Sequence, residues 1–108
     1  MTDPIPAGAQ EFLVRISVQV DPAAMSPDRF ADLLQDERAR GAELVRAGAI
    51  KHIWRLPGTS DNVGIWTALN ATVLHDLISS LPLFRWMTVA VTPLATHPLE
   101  PVLQEVRR

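Results

Sequence analysis

The sequence contains no cysteine. Of its ten basic residues, only Lys51 is a lysine, and the other nine are arginines. The absence of cysteine excludes disulfide scaffolds, cysteine nucleophiles, thiolate zinc sites and iron–sulfur clusters. The 12 acidic residues outnumber the 10 basic ones, and no basic run occurs. This charge balance argues against a nucleic-acid partner.

Long apolar runs are also missing from the sequence. No stretch approaches the ~20 apolar residues that a membrane-spanning helix needs, so we expect no membrane partner. Residues 1–10 have neither the basic n-region nor the apolar h-region of a secretory signal. We therefore expect a cytoplasmic protein.

The composition that remains is that of a folded protein. Hydrophobic residues make up 47% and charged residues 20% of the 108 residues, which excludes wholesale disorder. A chain of this length holds one domain with one core. Prolines punctuate both ends, so we expect a flexible N-terminal arm over 1–10, a domain over 11–93 and a C-terminal extension over 94–108.

Hydrophobic periodicity and local breakers predict six elements. Residues 11–20 alternate between apolar and polar side chains, as a half-buried strand does. Ser26 followed by Pro27 is typical of a helix N-terminus, and Gly48 suits a left-handed helix end. The predicted elements, in chain order, are strand 11–20, helix 27–47, strand 50–56, strand 62–68, helix 71–80 and strand 86–92.

This β-α-β-β-α-β order is the ferredoxin-like pattern of the α+β class, a four-stranded antiparallel sheet with two helices on one face. The second face of the sheet then needs a cover. If Trp66 and Trp86 lie there with Arg15, Ser17 and Gln19, that face is too apolar to remain exposed to solvent. We expect a sheet-to-sheet dimer.

One acidic residue lies where the first helix is otherwise apolar. On a 100° helical wheel, Glu37 falls near the centre of an arc of about 120°, the usual width of a core-facing stripe. The apolar members of that arc are Phe30, Leu33, Leu34, Gly41, Leu44 and Val45. Burial would raise the pKa of such a carboxyl toward that of a general base. The alternative is a structural carboxylate satisfied by Arg55, His52 or a backbone group.

The strand Lys51-His52-Ile53-Trp54-Arg55 carries polar groups on both faces. Strict alternation places His52 with Trp54, and Lys51 with Arg55. A cation facing Glu37 can pair with it or bind a substrate carboxylate. The alternative is a solvated edge strand whose charges discourage edge pairing.

The remaining histidines favour no metal site. His75 borders the apolar stripe of the second helix, and His97 precedes a proline near the C-terminus. No histidine pair has the spacing of a zinc motif, and no glycine-rich phosphate loop or nucleophile elbow occurs. We expect no metal site.

Several motifs, taken together at their separations, resemble the muconolactone Δ-isomerase family over about residues 11–98. The matching residues are Asp36-Glu37, His52-x-Trp54-Arg55, Gly58, Asn62, Leu74-His75-Asp76, Leu81-Pro82-Leu83-Phe84 and His97-Pro98. The resemblance implies a ferredoxin-like fold, a dimeric α/β barrel in which subunits pair through their sheets, and assembly into larger rings such as decamers.

The resemblance also implies a cofactor-free isomerase, an intramolecular oxidoreductase that transposes a C=C bond. Such an enzyme converts muconolactone to the 3-oxoadipate enol-lactone in the 3-oxoadipate pathway of aromatic degradation. It implies Glu37 as the base, with His52 as a further catalytic residue. Lys51, Trp54, Arg55 and His75 are the expected substrate-binding residues.

Two other functions fit the same scaffold. One is a cofactor-independent monooxygenase that acts on a small polyketide or quinone. The other is a non-catalytic protein that binds a ligand or only assembles. Formation of enol-lactone from added muconolactone separates the isomerase from both.

Overall fold

A computed structural model describes residues 9–107 of the chain. Most of the predicted N-terminal arm, residues 1–8, lies outside the described residues. The elements, in chain order, are β1 (Gln10–Val18), α1 (Pro27–Arg46), β2 (Ile50–Arg55), β3 (Asn62–Ala68), α2 (Ala71–Ser79), a 3₁₀ helix (Phe84–Trp86), β4 (Met87–Leu94) and α3 (Glu100–Val106). The predicted order of six elements is confirmed, and α3 follows it.

The helix ends form as their capping residues predict. The Ser26 hydroxyl accepts a hydrogen bond of 3.2 Å from the Arg29 N–H at the start of α1. Asn70 caps α2 in the same way, accepting from the Val73 N–H at 2.9 Å. Gly48 follows α1 with a φ of 83°, a conformation that other residues rarely adopt.

The strands form one antiparallel sheet in the order β2-β3-β1-β4. In the register of β1 and β3, Phe12 lies opposite Trp66 and Val14 lies opposite Gly64. Residues directly opposite each other point to the same side of a sheet. These four residues therefore define one face, which the helices cover, and the predicted ferredoxin-like arrangement is confirmed.

The hydrophobic core lies between this face and the helices. Alternate residues of β1 are buried, and one residue of α1 and two of α2 pack against them. The core residues are Phe12, Val14, Ile16, Leu44, Ala49, Ile50, Trp66, Ala68, Leu74, Ile78 and Leu81. One member of the predicted stripe differs, because the last turn of α1 buries Leu44 alone and leaves Val45 50% exposed.

Gly64 allows β2 to approach β3 closely. A Cβ atom built at Gly64 would lie 2.4 Å from the His52 carbonyl oxygen, which is too short for any real contact. Only glycine fits at this position without displacing backbone, so the residue fixes the spacing of the strands that carry the site.

Two of the predicted tryptophan positions are corrected by the structure. Trp66 faces the helices and is only 1% exposed, because β3 shares its buried side with Phe12 of β1. Trp86 lies in the 3₁₀ helix rather than in β4. β4 instead continues through Pro93 to Leu94. Proline, which has no backbone N–H, is tolerated in β4 because β4 is an edge strand and pairs with a neighbour on one side only.

The side of the sheet turned away from α1 and α2, here called the open face, carries exposed apolar side chains without these tryptophans. Leu13, Trp54 and Leu94 are all exposed there. Within residues 9–107, no helix is long and apolar enough to cross a membrane.

Candidate active site

A cavity of about 660 Å³ lies between α1 and the helix-covered face of the sheet. We call it the Glu37 cavity. Sites for small molecules typically occupy about 300–1,000 Å³ and carry a few polar groups on an apolar wall. The wall residues from α1 are Pro27, Phe30, Leu34, Glu37, Arg38 and Gly41, and those from the strands include Ile16, Ile50, Ile53, Arg55, Asn62 and Trp66.

Glu37 is the acidic residue on this wall, and its side chain is half-buried. Burial raises the pKa of Glu37 above its ordinary value, and the hydrogen bond from the Leu83 N–H opposes part of that rise. The predicted direction of the shift is confirmed. A carboxyl with a raised pKa accepts a proton more readily than an exposed one, as a general base must.

The backbone of Leu83 holds the carboxylate in place. The Leu83 N–H donates a hydrogen bond of 2.9 Å to Oε1 of Glu37. Leu81 and Leu83 are both buried, and they anchor the chain that leaves α2 on either side of Pro82. The sequence left Arg55, His52 or a backbone group as possible partners of this carboxylate, and the partner observed is a backbone N–H. Glu37 has no ion-pair partner within the described part of the chain.

Two cationic side chains also line the Glu37 cavity. Arg55 projects from the end of β2, opposite Asn62 of β3. Its guanidinium donates a hydrogen bond of 2.5 Å to the Ser60 carbonyl oxygen. Arg38 lies beside Glu37 in α1. The cavity therefore combines one proton acceptor with cationic groups that can bind an anionic substituent.

The other predicted residues of β2 lie across the sheet from Glu37. His52 and Trp54 stack on the open face, with ring centroids 5.5 Å apart and planes 6° from parallel. Lys51 bonds to Glu11 of β1 through an N–O distance of 3.0 Å. The predicted pairing of Lys51 with Arg55 on one face is wrong, because the register shifts between Ile50 and His52.

Lys51, His52 and Trp54 line a second cavity of about 610 Å³, here called the open-face groove. Glu100, Gln104 and Arg107 of the α3 region line its other side. The sheet separates this groove from Glu37. Within one chain, His52 therefore does not reach a molecule bound against the Glu37 carboxylate.

His75 lines neither cavity. Its ring is exposed on α2 and meets Phe84 edge-on, with centroids 6.0 Å apart. Of the six predicted site residues, the structure thus brings together Glu37 and Arg55. Lys51, His52 and Trp54 lie instead on the open face, and His75 lies on α2 outside both cavities.

Sequence reasoning missed Arg38, Asn62 and Trp66 as cavity residues. The alternation of β3 does place Asn62 and Trp66 on one face. The missing information was the register with β1, which shows that this face is the one beneath α1. No group of three metal-binding side chains occurs among residues 9–107.

Comparison with known proteins gives consistent matches. The family described as muconolactone delta-isomerase matches residues 10–100. A muconolactone Delta-isomerase 2 of Acinetobacter lwoffii is 36% identical over 86 residues, which span 80% of this chain and 88% of that protein. A muconolactone Delta-isomerase of Rhodococcus opacus is 34% identical over 86 residues, spanning 80% of this chain and 91% of that one.

A crystal structure of muconolactone isomerase has the same fold, with a TM-score of 0.75 and 33% sequence identity. The match covers 82% of this chain and 91% of the other.

Proposed function

The chain belongs to the muconolactone delta-isomerase family, and we propose that Glu37 moves the proton in the isomerisation of muconolactone. The protein is an isomerase. We place it in the 3-oxoadipate pathway of aromatic catabolism, where the product is the enol-lactone. The observation that carries the proposal is the Glu37 carboxylate, held by Leu83 on the wall of a largely apolar cavity.

The reaction is a 1,3-proton transfer within an unsaturated lactone. The base removes the proton from the ring carbon that carries the acidic side chain. The electron pair spreads onto the lactone carbonyl, forming a dienolate. The same proton, or its equivalent, returns to the ring carbon next to the carbonyl, and the double bond shifts by one position. Substrate and product have the same atoms, so the step balances without an oxidant or a reductant.

A single carboxylate can perform both proton steps. Glu37 suits this role because burial raises its pKa, so its carboxylate takes up a proton more readily than an exposed carboxylate does. One of its oxygens is fixed by Leu83. The apolar residues around it limit access of water, which would otherwise exchange the proton or compete for it.

Arg55 is the proposed partner of the substrate's free carboxylate. It lines the same cavity as Glu37, whereas Lys51, the other cation predicted for this role, bonds to Glu11 on the open face. An arginine binds a carboxylate with two parallel hydrogen bonds and so fixes its orientation. Arg38 is the second cation on the wall and the alternative partner.

The two competing functions are less well supported. A monooxygenase or a purely ligand-binding protein on this fold would also have a cavity. Neither is indicated by the family, whose match covers residues 10–100 and whose relatives carry isomerase names. The mechanism proposed for Glu37 uses no metal or organic cofactor.

We also propose a homo-oligomer built from sheet-to-sheet dimers. The open face exposes Leu13, Trp54 and Leu94. α3 presents an exposed apolar stripe next to it, in which Val106 is 79% exposed. The other residues of the stripe are Leu99, Val102 and Leu103. Apolar area on this scale favours burial against a second copy. A cytoplasmic location stays a prediction.

The function is tested by adding muconolactone to the purified protein and following the formation of enol-lactone. The proposal predicts turnover that is lost in Glu37→Gln. A protein that binds muconolactone and leaves it unchanged would contradict the proposal.

A further inference from the structure

Within residues 9–107, two residues that line the Glu37 cavity each carry a buried polar atom without a hydrogen-bond partner. The two atoms are the Trp66 indole nitrogen, Nε1, and the Asn62 side-chain oxygen, Oδ1. A third such atom within the described residues, the Thr67 hydroxyl oxygen, belongs to a residue that does not line the cavity. Both unpartnered groups of the cavity thus belong to residues that share its wall with Glu37.

The Trp66 N–H is the more informative of the two. An indole nitrogen is a donor only, so nothing but an acceptor atom can satisfy it. The residue is 1% exposed, and its neighbours across the sheet are Phe12 and Ile50, which offer no side-chain acceptor. Buried donors without acceptors are rare in folded proteins and mark a ligand or functional position.

The position of Trp66 relative to Arg55 suggests which atom of the substrate it meets. Arg55 lies opposite Asn62, and Trp66 lies four residues further along β3, roughly 13 Å at the usual rise of a strand. Along β3, the wall of the cavity thus carries a cation, Arg55, near one end and a neutral donor, Trp66, near the other. A lactone that carries a carboxylate has matching ends, because its ring carbonyl is a neutral acceptor.

We propose that the Trp66 N–H donates a hydrogen bond to the lactone carbonyl oxygen and stabilises the negative charge that this oxygen carries in the dienolate. The proposal rests on the isomerase function described above. Glu37 removes the ring proton, the electron pair moves onto the carbonyl oxygen, and the hydrogen bond from Trp66 strengthens with that charge. No proton leaves the indole. When the ring carbon takes the proton back, the charge returns and the bond weakens.

A donor placed where charge develops lowers the barrier more than it tightens substrate binding. Trp66→Phe removes the N–H and keeps an aromatic side chain. We expect kcat to fall about 10- to 10²-fold, toward the range seen when one donor to such an oxygen is removed, with little change in KM. The matched control is Trp86→Phe, since Trp86 does not line the cavity and its loss should leave kcat unchanged.

A second measurement keeps the inference testable should Trp66→Phe fold poorly. The wild-type chain has three tryptophans, whose indole N–H groups give separate NMR signals after ¹⁵N labelling. The probe is the saturated analogue of muconolactone, which keeps the carbonyl and the carboxylate and has no ring double bond to shift. On saturation, the Trp66 signal should move downfield by more than the Trp54 and Trp86 signals.

The outcomes separate this inference from the proposed function. Turnover by the wild type, loss in Glu37→Gln and a lowered kcat in Trp66→Phe support both. An unchanged kcat in a folded Trp66→Phe, or a Trp66 signal that stays in place on saturation, overturns the role of Trp66 and leaves the isomerase function standing. A wild type without turnover overturns both.

Discussion

The Leu83 N–H donates a hydrogen bond of 2.9 Å to Oε1 of Glu37, across 46 positions of sequence. This bond joins the middle of α1 to the segment that follows α2, over the wall of the Glu37 cavity. It orients one carboxylate oxygen and leaves proton transfer to the other. It also shows why Glu37 tolerates burial although no ion-pair partner for it occurs among residues 9–107.

The stability of the wild type should fall relative to Glu37→Gln as the pH rises. The pKa of Glu37 is higher in the folded chain than in the unfolded chain, so folding favours the protonated carboxyl. That contribution is complete below the unfolded pKa and is lost as the pH rises through the folded pKa. Urea unfolding of both proteins across a pH series measures the difference. A difference that stays constant with pH would contradict the raised pKa.

The ionisation of Glu37 should also appear in the pH dependence of the isomerisation rate. The base must be deprotonated to act, so kcat/KM should increase with pH through the raised pKa of Glu37 and then level off. The pH profile of enol-lactone formation measures this. A rate that is flat throughout the acid range, or that falls as the pH rises there, would argue against a carboxylate base.

Arg55→Gln should raise KM for muconolactone about 10- to 100-fold with a smaller effect on kcat, since a hydrogen bond to a charged group contributes about 1.5–3 kcal/mol. Steady-state kinetics check this, and Arg46→Gln in the last turn of α1 is the control. If Arg38 binds the carboxylate instead, Arg38→Gln will raise KM and Arg55→Gln will not.

Gly41 tests the cavity itself. It lies inside α1 and lines the cavity, and a Cβ built there has no atom within 4 Å. Gly41→Ala should therefore stabilise the fold by about 0.5–1 kcal/mol, the usual cost of glycine within a helix. Gly41→Leu should leave the protein folded and weaken substrate binding by occupying the cavity. Thermal unfolding and KM report the two effects, and a destabilised Gly41→Ala would show that the space is already filled.

The oligomer prediction concerns the open face. Wild-type protein should sediment as a species larger than the monomer at micromolar concentration. Leu13→Asp puts a charge at the centre of the open face and should shift the protein toward smaller species with its circular dichroism unchanged. Val45→Asp is the control, because Val45 is exposed on α1, away from that face. A monomeric wild type would contradict the proposed assembly.

The fold was predictable from local signals. The alternation of β1, the Ser26 and Asn70 caps and the turn at Gly48 each act within a few residues, and each formed as expected. Glu37 could also be found, because the helical wheel depends on one helix alone. Its burial and the direction of its pKa shift followed from that position.

The rest of the site depends on contacts between distant segments. Lys51 lies on the open face and not with Arg55, because the pairing of β2 with β3 shifts by one residue between Ile50 and His52. Strict alternation cannot predict such a shift. The sequence left Trp66 as a candidate for the open face, and only its pairing with Phe12 places it on the helix-covered face. The Leu83 bond to Glu37 required the packing of two helices, which no single segment specifies.

Glu37→Gln tests the central claim most directly, with isomerisation rate and unfolding midpoint measured on the same protein. The amide has nearly the same volume and still accepts the hydrogen bond from Leu83, so the fold should be kept at neutral pH. It cannot take the substrate proton, so turnover should fall at least about 10²–10⁴-fold, the usual contribution of a general base. Glu43→Gln, on an exposed part of the same helix, should change neither quantity. A Glu37→Gln protein that isomerises muconolactone at the wild-type rate, or that loses activity only because it unfolds, would contradict the account.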